Sequence, residues 1–325
     1  MKRLILPLLF LFSCCLGQAQ NRLAVAEGPD IPSPDRTLLF AQRDTCELLL
    51  DFYAAAPGSG PCADSLRKPL IIHIFGGSFV TGQRNHPGDR IWFRQMADAG
   101  YNVAAIDYRL GMKGKAIRNK LSLPPVLNEA IQVAVDDLFA ATNYLIDNAE
   151  ALGVDPGRII VSGSSAGAIT ALQAEWEICN GKAPAQVLPG WFNYAGVMAF
   201  AGAVFTMEGP ITFPQKPCPI LMFYGTEDRI VPFGKITILR NQFAGSDALA
   251  KKLKPTGANF QIYRFQGAGH EIAMSMRRNV SEELRFLEEN VIKGVYRPLD
   301  ATLTDSGIED PGWKQYSTRD LYPKK

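Results

Sequence analysis

Leu70-Ile71-Ile72-His73-Ile74-Phe75 presents apolar side chains to both faces of an extended chain, so both faces must be covered. Runs of this kind belong to parallel sheets, where crossover connections lay helices over each face. The rest of the sequence follows the same plan. Further β-rich runs at 102–106, 158–162, 195–201, 220–224 and 260–265 alternate with helical spacing at 90–99, 128–152, 165–178 and 281–293. Upstream, 38–42 and 46–54 read as two further strands with a short turn at Arg43-Asp44. The expectation is an α/β fold with an open, mostly parallel sheet and helices on both faces. No linker or repeat divides 20–295, which reads as one domain with at most a small cap built from loops. Residues 296–325 have prolines and mixed charge without periodicity, and read as a surface tail.

The run at 158–162 leads straight into Gly163-Ser164-Ser165-Ala166-Gly167, and an alanine-rich helical stretch follows. In that strand–turn–helix setting, G-x-S-x-G projects a serine hydroxyl beyond the sheet on a strained turn. Glycines two residues to either side keep side chains out of the packed strand and helix. The helix N-terminus adds a positive dipole facing any oxyanion formed there. Ser164 is a rival hydroxyl, but the glycine register selects Ser165.

A serine hydroxyl is a poor nucleophile until a base takes its proton. The sequence has 3 histidines. His73 sits inside an apolar run and reads as a core residue; His86 sits in the polar loop Gln83-Arg84-Asn85-His86-Pro87 and reads as surface. His270 follows the run at 260–265 across Gln266-Gly267-Ala268-Gly269. That places it at a strand's carboxyl end, the edge where open α/β sheets carry their sites. A carboxylate to orient it comes from Ile220-Leu221-Met222-Phe223-Tyr224-Gly225-Thr226-Glu227-Asp228, with Asp228 favoured and Glu227 the alternative.

Six segments carry a family resemblance. They are Phe75-Gly76-Gly77-Ser78-Phe79, Ile106-Asp107-Tyr108-Arg109-Leu110, Asp155-Pro156 before Arg158, residues 163–167, Tyr224 to Asp228 with Val231-Pro232, and Gly269-His270-Glu271. From about residue 37 to 293 the chain resembles the carboxylesterase and hormone-sensitive-lipase-like branch of the α/β-hydrolase superfamily. The resemblance implies an eight-stranded sheet and a triad in the order Ser165, Asp228, His270. It also implies oxyanion donors at the N–H groups of Gly77, Ser78 and Ala166, and no metal or organic cofactor. Asp107 and Arg109 would be structural. One lost oxyanion donor typically raises the barrier by ~3 kcal/mol. Phe75 and Ser78 depart from the family, which often has histidine and a third glycine there.

Lys2 and Arg3, the short apolar run at 4–12 and Gly17-Gln18-Ala19 have the order of a signal peptide cleaved after Ala19. Cys14 also permits a lipoprotein reading. The run is too short for a membrane span, which needs ~20 apolar residues. The formal net charge is +2, and removing the leader's two basic residues brings it to zero, with no basic tract left. Neither a nucleic acid nor an anionic membrane is implied as partner. In an oxidising compartment Cys46, Cys62, Cys179 and Cys218 can pair, and proximity favours Cys46–Cys62 and Cys179–Cys218. They lie too far apart, with no histidine near, to read as metal ligands.

Without a long apolar insertion to act as a lipase lid, the expected substrate is a small-molecule or carbohydrate-linked ester with a short acyl or aryl group, such as acetyl or feruloyl. Segment 79–95 and the loop 111–125, with Met112, Leu121 and Leu123, are candidates for the mouth. Trp92, Phe205, Phe213 and Phe233 read first as core. A peptidase using the same triad is a second reading, but the chain lacks room for an extra gating domain. A non-catalytic binder on this scaffold is a third, opposed by the complete Ser-Asp-His set.

Overall fold

The computed structural model describes residues 31–44, 46–117, 122–304, 306–317 and 320. The chain divides into Met1–Pro32 and Ser33–Lys325, and the described strands and helices all lie in the second unit. The expected leader, with Cys14 and Ala19, lies outside the described residues.

Along the chain the elements begin β1 (Arg36–Arg43), β2 (Cys46–Tyr53), β3 (Lys68–Ile74), α1 (Pro87–Asp98) and β4 (Asn102–Ile106). They continue α2 (Leu123–Asp147), α3 (Ala149–Leu152), β5 (Val154–Ser164), α4 (Ala166–Cys179), β6 (Gly196–Phe200), β7 (Ala203–Thr206) and β8 (Ile220–Gly225). The last are β9 (Lys235–Ile238), β10 (Asn241–Gly245), α5 (Ser246–Leu253), β11 (Phe260–Phe265), α6 (Val280–Phe286) and β12 (Leu299–Leu303).

The continuous apolar run is indeed a strand covered twice. In β3, Leu70, Ile72 and Ile74 enter one core and Ile71 the other, as the two-residue period of a strand requires. Helices α2 and α4 cover the first face with Leu127, Ile131, Leu138, Ala168 and Leu172. On the second face α1 and α6 contribute Trp92, Phe93, Met96 and Phe286. Each fully buried side chain of this size stabilises the fold by about 2 kcal/mol.

The main sheet runs β1-β2-β4-β3-β5-β6-β8-β11-β12, antiparallel at β1–β2 and β2–β4 and parallel from β4 onward. Nine strands rather than the expected eight are therefore found among the described residues. The extra one, β12, comes from the stretch without periodicity, and pairs with β11 from Gln261↔Leu299 to Phe265↔Leu303. An edge strand that is mostly exposed needs no apolar run, so nothing in its sequence advertises it. A second sheet, β7-β10-β9, was likewise not foreseen. Its outer strand Lys235-Ile236-Thr237-Ile238 is exposed throughout.

The expected disulfides are corrected. Cys62, Cys179 and Cys218 carry free thiols, so neither the Cys46–Cys62 nor the Cys179–Cys218 bridge forms. Cys62 accepts a 3.1 Å hydrogen bond from Arg158 Nη1 instead. Glu175 engages the other two residues through one oxygen: Oε1 accepts from the Cys218 N–H at 2.8 Å and the Cys179 thiol at 3.4 Å. Burial pushes the Glu175 carboxyl up to about 7. Among the described residues no helix is long and apolar enough to cross a membrane.

Candidate active site

Ser165 occupies the turn between β5 and α4 with φ 51° and ψ −114°, a conformation L-residues rarely adopt. Such strain costs of order 1–3 kcal/mol and persists only where the surroundings enforce it. Here they do. The Ser165 N–H is held by the Phe200 carbonyl at 2.8 Å. A Cβ on Gly163 would lie 2.3 Å from the Gly167 backbone, and one on Gly167 would lie 2.0 Å from the Ile74 carbonyl oxygen. Both glycines of the motif are thus required by close backbone approach.

His270 begins a single helical turn, His270–Met274, at the carboxyl end of β11. Its Nε2 lies 2.8 Å from Ser165 Oγ and its Nδ1 lies 2.7 Å from Asp228 Oδ2. A carboxylate can only accept, which assigns the ring proton to Nδ1 and leaves Nε2 free to accept from the serine. Asp228 Oδ1 in turn accepts the N–H groups of Ile230 at 2.9 Å and Val231 at 3.0 Å, fixing the carboxylate. All three side chains are buried, with residues 165, 228 and 270 exposed by 7%, 6% and 6%.

The alternatives separate cleanly. Glu227 faces solvent, and its contribution is a backbone N–H donated to the Ala268 carbonyl at 2.8 Å, which ties the loop after β8 to the loop after β11. Ser164 Oγ donates to the Ala273 carbonyl at 2.7 Å, latching the histidine turn to the elbow. His86 is exposed. His73 is 1% exposed, packed against Trp92 and Phe93, and burial drives its pKa down to about 3.

The loop after β3 lies against the elbow: a Cβ on Gly76 would come within 3.1 Å of Ser165 Cβ. Gly77, Ser78 and Phe79 follow with φ of 124°, 58° and 59°. The Gly77 carbonyl accepts from Val80 and Thr81 at 3.0 and 3.1 Å, closing a tight turn. Ser78 therefore holds a left-handed conformation better suited to glycine. Phe75 stacks on Tyr108 at 4.5 Å between ring centroids, and the Tyr108 hydroxyl donates to the Phe75 carbonyl at 3.1 Å. Ala166 opens α4, so its N–H has no intrahelical acceptor. Arg84 reaches Asp51 at 3.2 Å and Asp107 at 2.7 Å, joining the chain just after the loop to β2 and to the end of β4. Arg109 pairs with Asp137 at 2.8 Å, consistent with structural work for Asp107 and Arg109.

Of the aromatic candidates, Trp92 and Phe205 are buried, while Phe213 and Phe233 pack partly buried on the first core. Met112 is buried, and Leu121 lies outside the described residues. One neighbour of the site was missed from the sequence. Trp313, in the stretch read as a tail, places its ring centroid 5.6 Å from that of His270. A lone tryptophan among prolines and charges carries no positional signal.

A propionate-bound esterase from the planctomycete Thermogutta terrifontis superposes with a TM-score of 0.55 at 20% identity, covering 80% of this chain and 95% of that one. The chain has the α/β-hydrolase fold. Within it, the family profile BD-FAE matches residues 59–177, the stretch holding the β3 loop and the elbow. Esterase LipI of Mycobacterium tuberculosis is 31% identical over 107 residues, 33% of this chain and 28% of that protein. A probable isoprenylcysteine alpha-carbonyl methylesterase of Oryza sativa subsp. japonica is 24% identical over 241 residues, covering 62% of this chain and 51% of that protein. The chain thus spans about half or less of the length of these two relatives. In an α/β-hydrolase scaffold, a hydroxyl–imidazole–carboxylate chain of this geometry can pass a proton from oxygen to nitrogen while an electrophile is attacked.

Proposed function

We propose that the protein is an exported serine carboxylesterase acting on esters with short acyl or aryl groups, including acetyl or feruloyl esters of carbohydrates. The observation that carries it is the unbroken contact chain from Ser165 Oγ through His270 to Asp228, at 2.8 and 2.7 Å. His270 takes the Ser165 proton as Oγ attacks the ester carbonyl. The N–H groups of Gly77, Ser78 and Ala166 receive the oxyanion, and His270 protonates the departing alcohol. Water then enters by the same route and frees the acid. Asp228 holds the imidazole in its productive tautomer throughout. The likeness to a methylesterase favours small esters, and the charged, apolar-then-small leader at 1–19 favours export.

A fluorophosphonate probe should label Ser165 in the native protein and lose its target in Ser165→Ala. A panel of p-nitrophenyl esters with feruloylated and acetylated oligosaccharides should show turnover by the parent alone. No adduct at Ser165, together with neglect of every ester, would sink the assignment. N-terminal sequencing of exported material should begin at Gln20 for the cleaved form and at Cys14 for a lipoprotein. Uncleaved cytoplasmic chain would refute export.

A further inference from the structure

The stretch after β12 folds back toward the base. From the sheet edge, where Gln266 donates its N–H to the Leu303 carbonyl at 2.8 Å, it passes the Arg278 guanidinium at Gly307. Ile308 then packs on the second core. Asp310 caps the next turn: Oδ1 accepts the Trp313 N–H at 2.7 Å and Oδ2 the Lys314 N–H at 3.4 Å. That turn, Trp313–Gln315, sets the indole beside the His270 imidazole at an interplanar angle of 46°. The Lys314 stem lies along Gly269, where a Cβ would meet Lys314 Cγ at 3.0 Å. Trp313 is half-buried: part of it packs on the first core, and part remains open.

The chemistry gives this placement a meaning. In the proposed reaction His270 must deliver its proton to the leaving oxygen, so the alcohol half of the ester lies on the imidazole side of Ser165. A large aromatic surface beside that imidazole borders the space the alcohol enters. Indole faces stack on flat apolar surfaces, whether an aryl ring or the C–H face of a pyranose. Lys314, next in the chain and exposed, supplies a polar rim. We propose that Trp313, carried to the site by the C-terminal stretch, walls the leaving-alcohol subsite and selects esters whose alcohol bears a ring. It is a specificity-determining residue, and the proposal rests on the esterase reading above.

The test uses the full chain and acetates that differ only in the alcohol: ethyl acetate, phenyl acetate and a mono-acetylated methyl xyloside. Trp313→Ala should lower the kcat/KM ratio of ring-bearing acetate to ethyl acetate roughly tenfold, and Trp313→Phe should restore most of it for phenyl acetate. Loss confined to the phenyl ester identifies an aryl subsite, and loss confined to the xyloside identifies a pyranose subsite. Equal loss on all three esters, or an unchanged ratio, overturns the proposal. A second readout does not depend on turnover. Saturation-transfer NMR of phenyl acetate and methyl xyloside with Ser165→Ala protein should show ring contact that disappears in Ser165→Ala/Trp313→Ala. Should the parent hydrolyse no ester, the esterase reading fails alone, and persistence of ring contact in the double variant would then reject the subsite separately.

Discussion

Two buried histidines in this molecule each have a serine hydroxyl nearby, and only one of them also meets a carboxylate. His270 Nε2 lies 2.8 Å from Ser165 Oγ, and its other nitrogen meets a carboxylate. His73 Nδ1 lies 3.4 Å from Ser162 Oγ, but its Nε2 is buried without a partner. His73 sits in mid-strand, packed against both Trp92 and Phe93 on one face of the sheet. Burial without a compensating charge holds it neutral, with a pKa of about 3. His270 stands beyond a strand end, where loops converge and a carboxylate can approach. Proximity of imidazole to hydroxyl is therefore insufficient. Position at the sheet edge and a second partner for the ring make the difference.

Removing that second partner is the most severe way to break the contrast. Asn at position 228 would keep the shape but can present an N–H to Nδ1. The ring proton then moves to Nε2, which can no longer accept from Ser165. Asp228→Asn should lower kcat by roughly 10⁴-fold, read as acetate-ester turnover at saturating substrate. His73→Leu should leave turnover near the parent's. If His73→Leu silenced the enzyme as deeply as Asp228→Asn, the distinction drawn between the two histidines would be wrong.

His73 predicts its own signature in stability. In the folded protein it stays neutral down to about pH 3, against an ordinary value of 6.5. Between those values the unfolded chain binds a proton that the folded chain refuses, so unfolded protein is favoured as pH falls. Above 6.5 both forms are neutral and the effect is absent. Urea unfolding should show stability declining from pH 6.5 toward 3 by on the order of 4 kcal/mol from this residue. His73→Leu should flatten that slope. A slope equally steep in the variant would place the acid sensitivity elsewhere.

Legibility in the sequence divides the same way, between interior and edge. Strand β11 appears at the bounds expected for it, because Phe260 and Ile262 enter one core and Tyr263 and Phe265 the other, which leaves a β-rich pattern even with Gln261 and Arg264 interrupting it. The elbow was readable because close backbone approach at Gly163 and Gly167 leaves no choice of residue. Helix α2 starts at Leu123, five residues ahead of the expected 128, because prolines fit a first helical turn yet look like loop. Strands β9 and β12 stayed hidden because exposed strands place few constraints on side chains. Trp313 was hidden for a related reason: its importance comes from where a long loop ends, which no local pattern encodes. The free thiols show the limit of proximity arguments, since Glu175 binds both Cys179 and Cys218 without joining them.

Strain divides along the same line, and the smallest predicted effect tests that. Of the non-glycine residues with positive φ, Ser78, Phe79, Ser165 and Ala201 follow strands β3, β5 and β6 at the sheet edge, and Leu239 lies on the β9–β10 hairpin. At Ser78, φ is 58°, where an L side chain costs roughly 1–2 kcal/mol and glycine nothing. Glycine also loosens the unfolded chain, which offsets about 0.4–1 kcal/mol of the relief. Ser78→Gly should therefore raise stability by about 0.5 kcal/mol, measurable as a small increase in urea midpoint at unchanged m-value. A fall in midpoint would mean that the Ser78 hydroxyl holds the loop more strongly than its backbone strains it, and the edge would then owe its shape to side-chain contacts rather than to enforced strain.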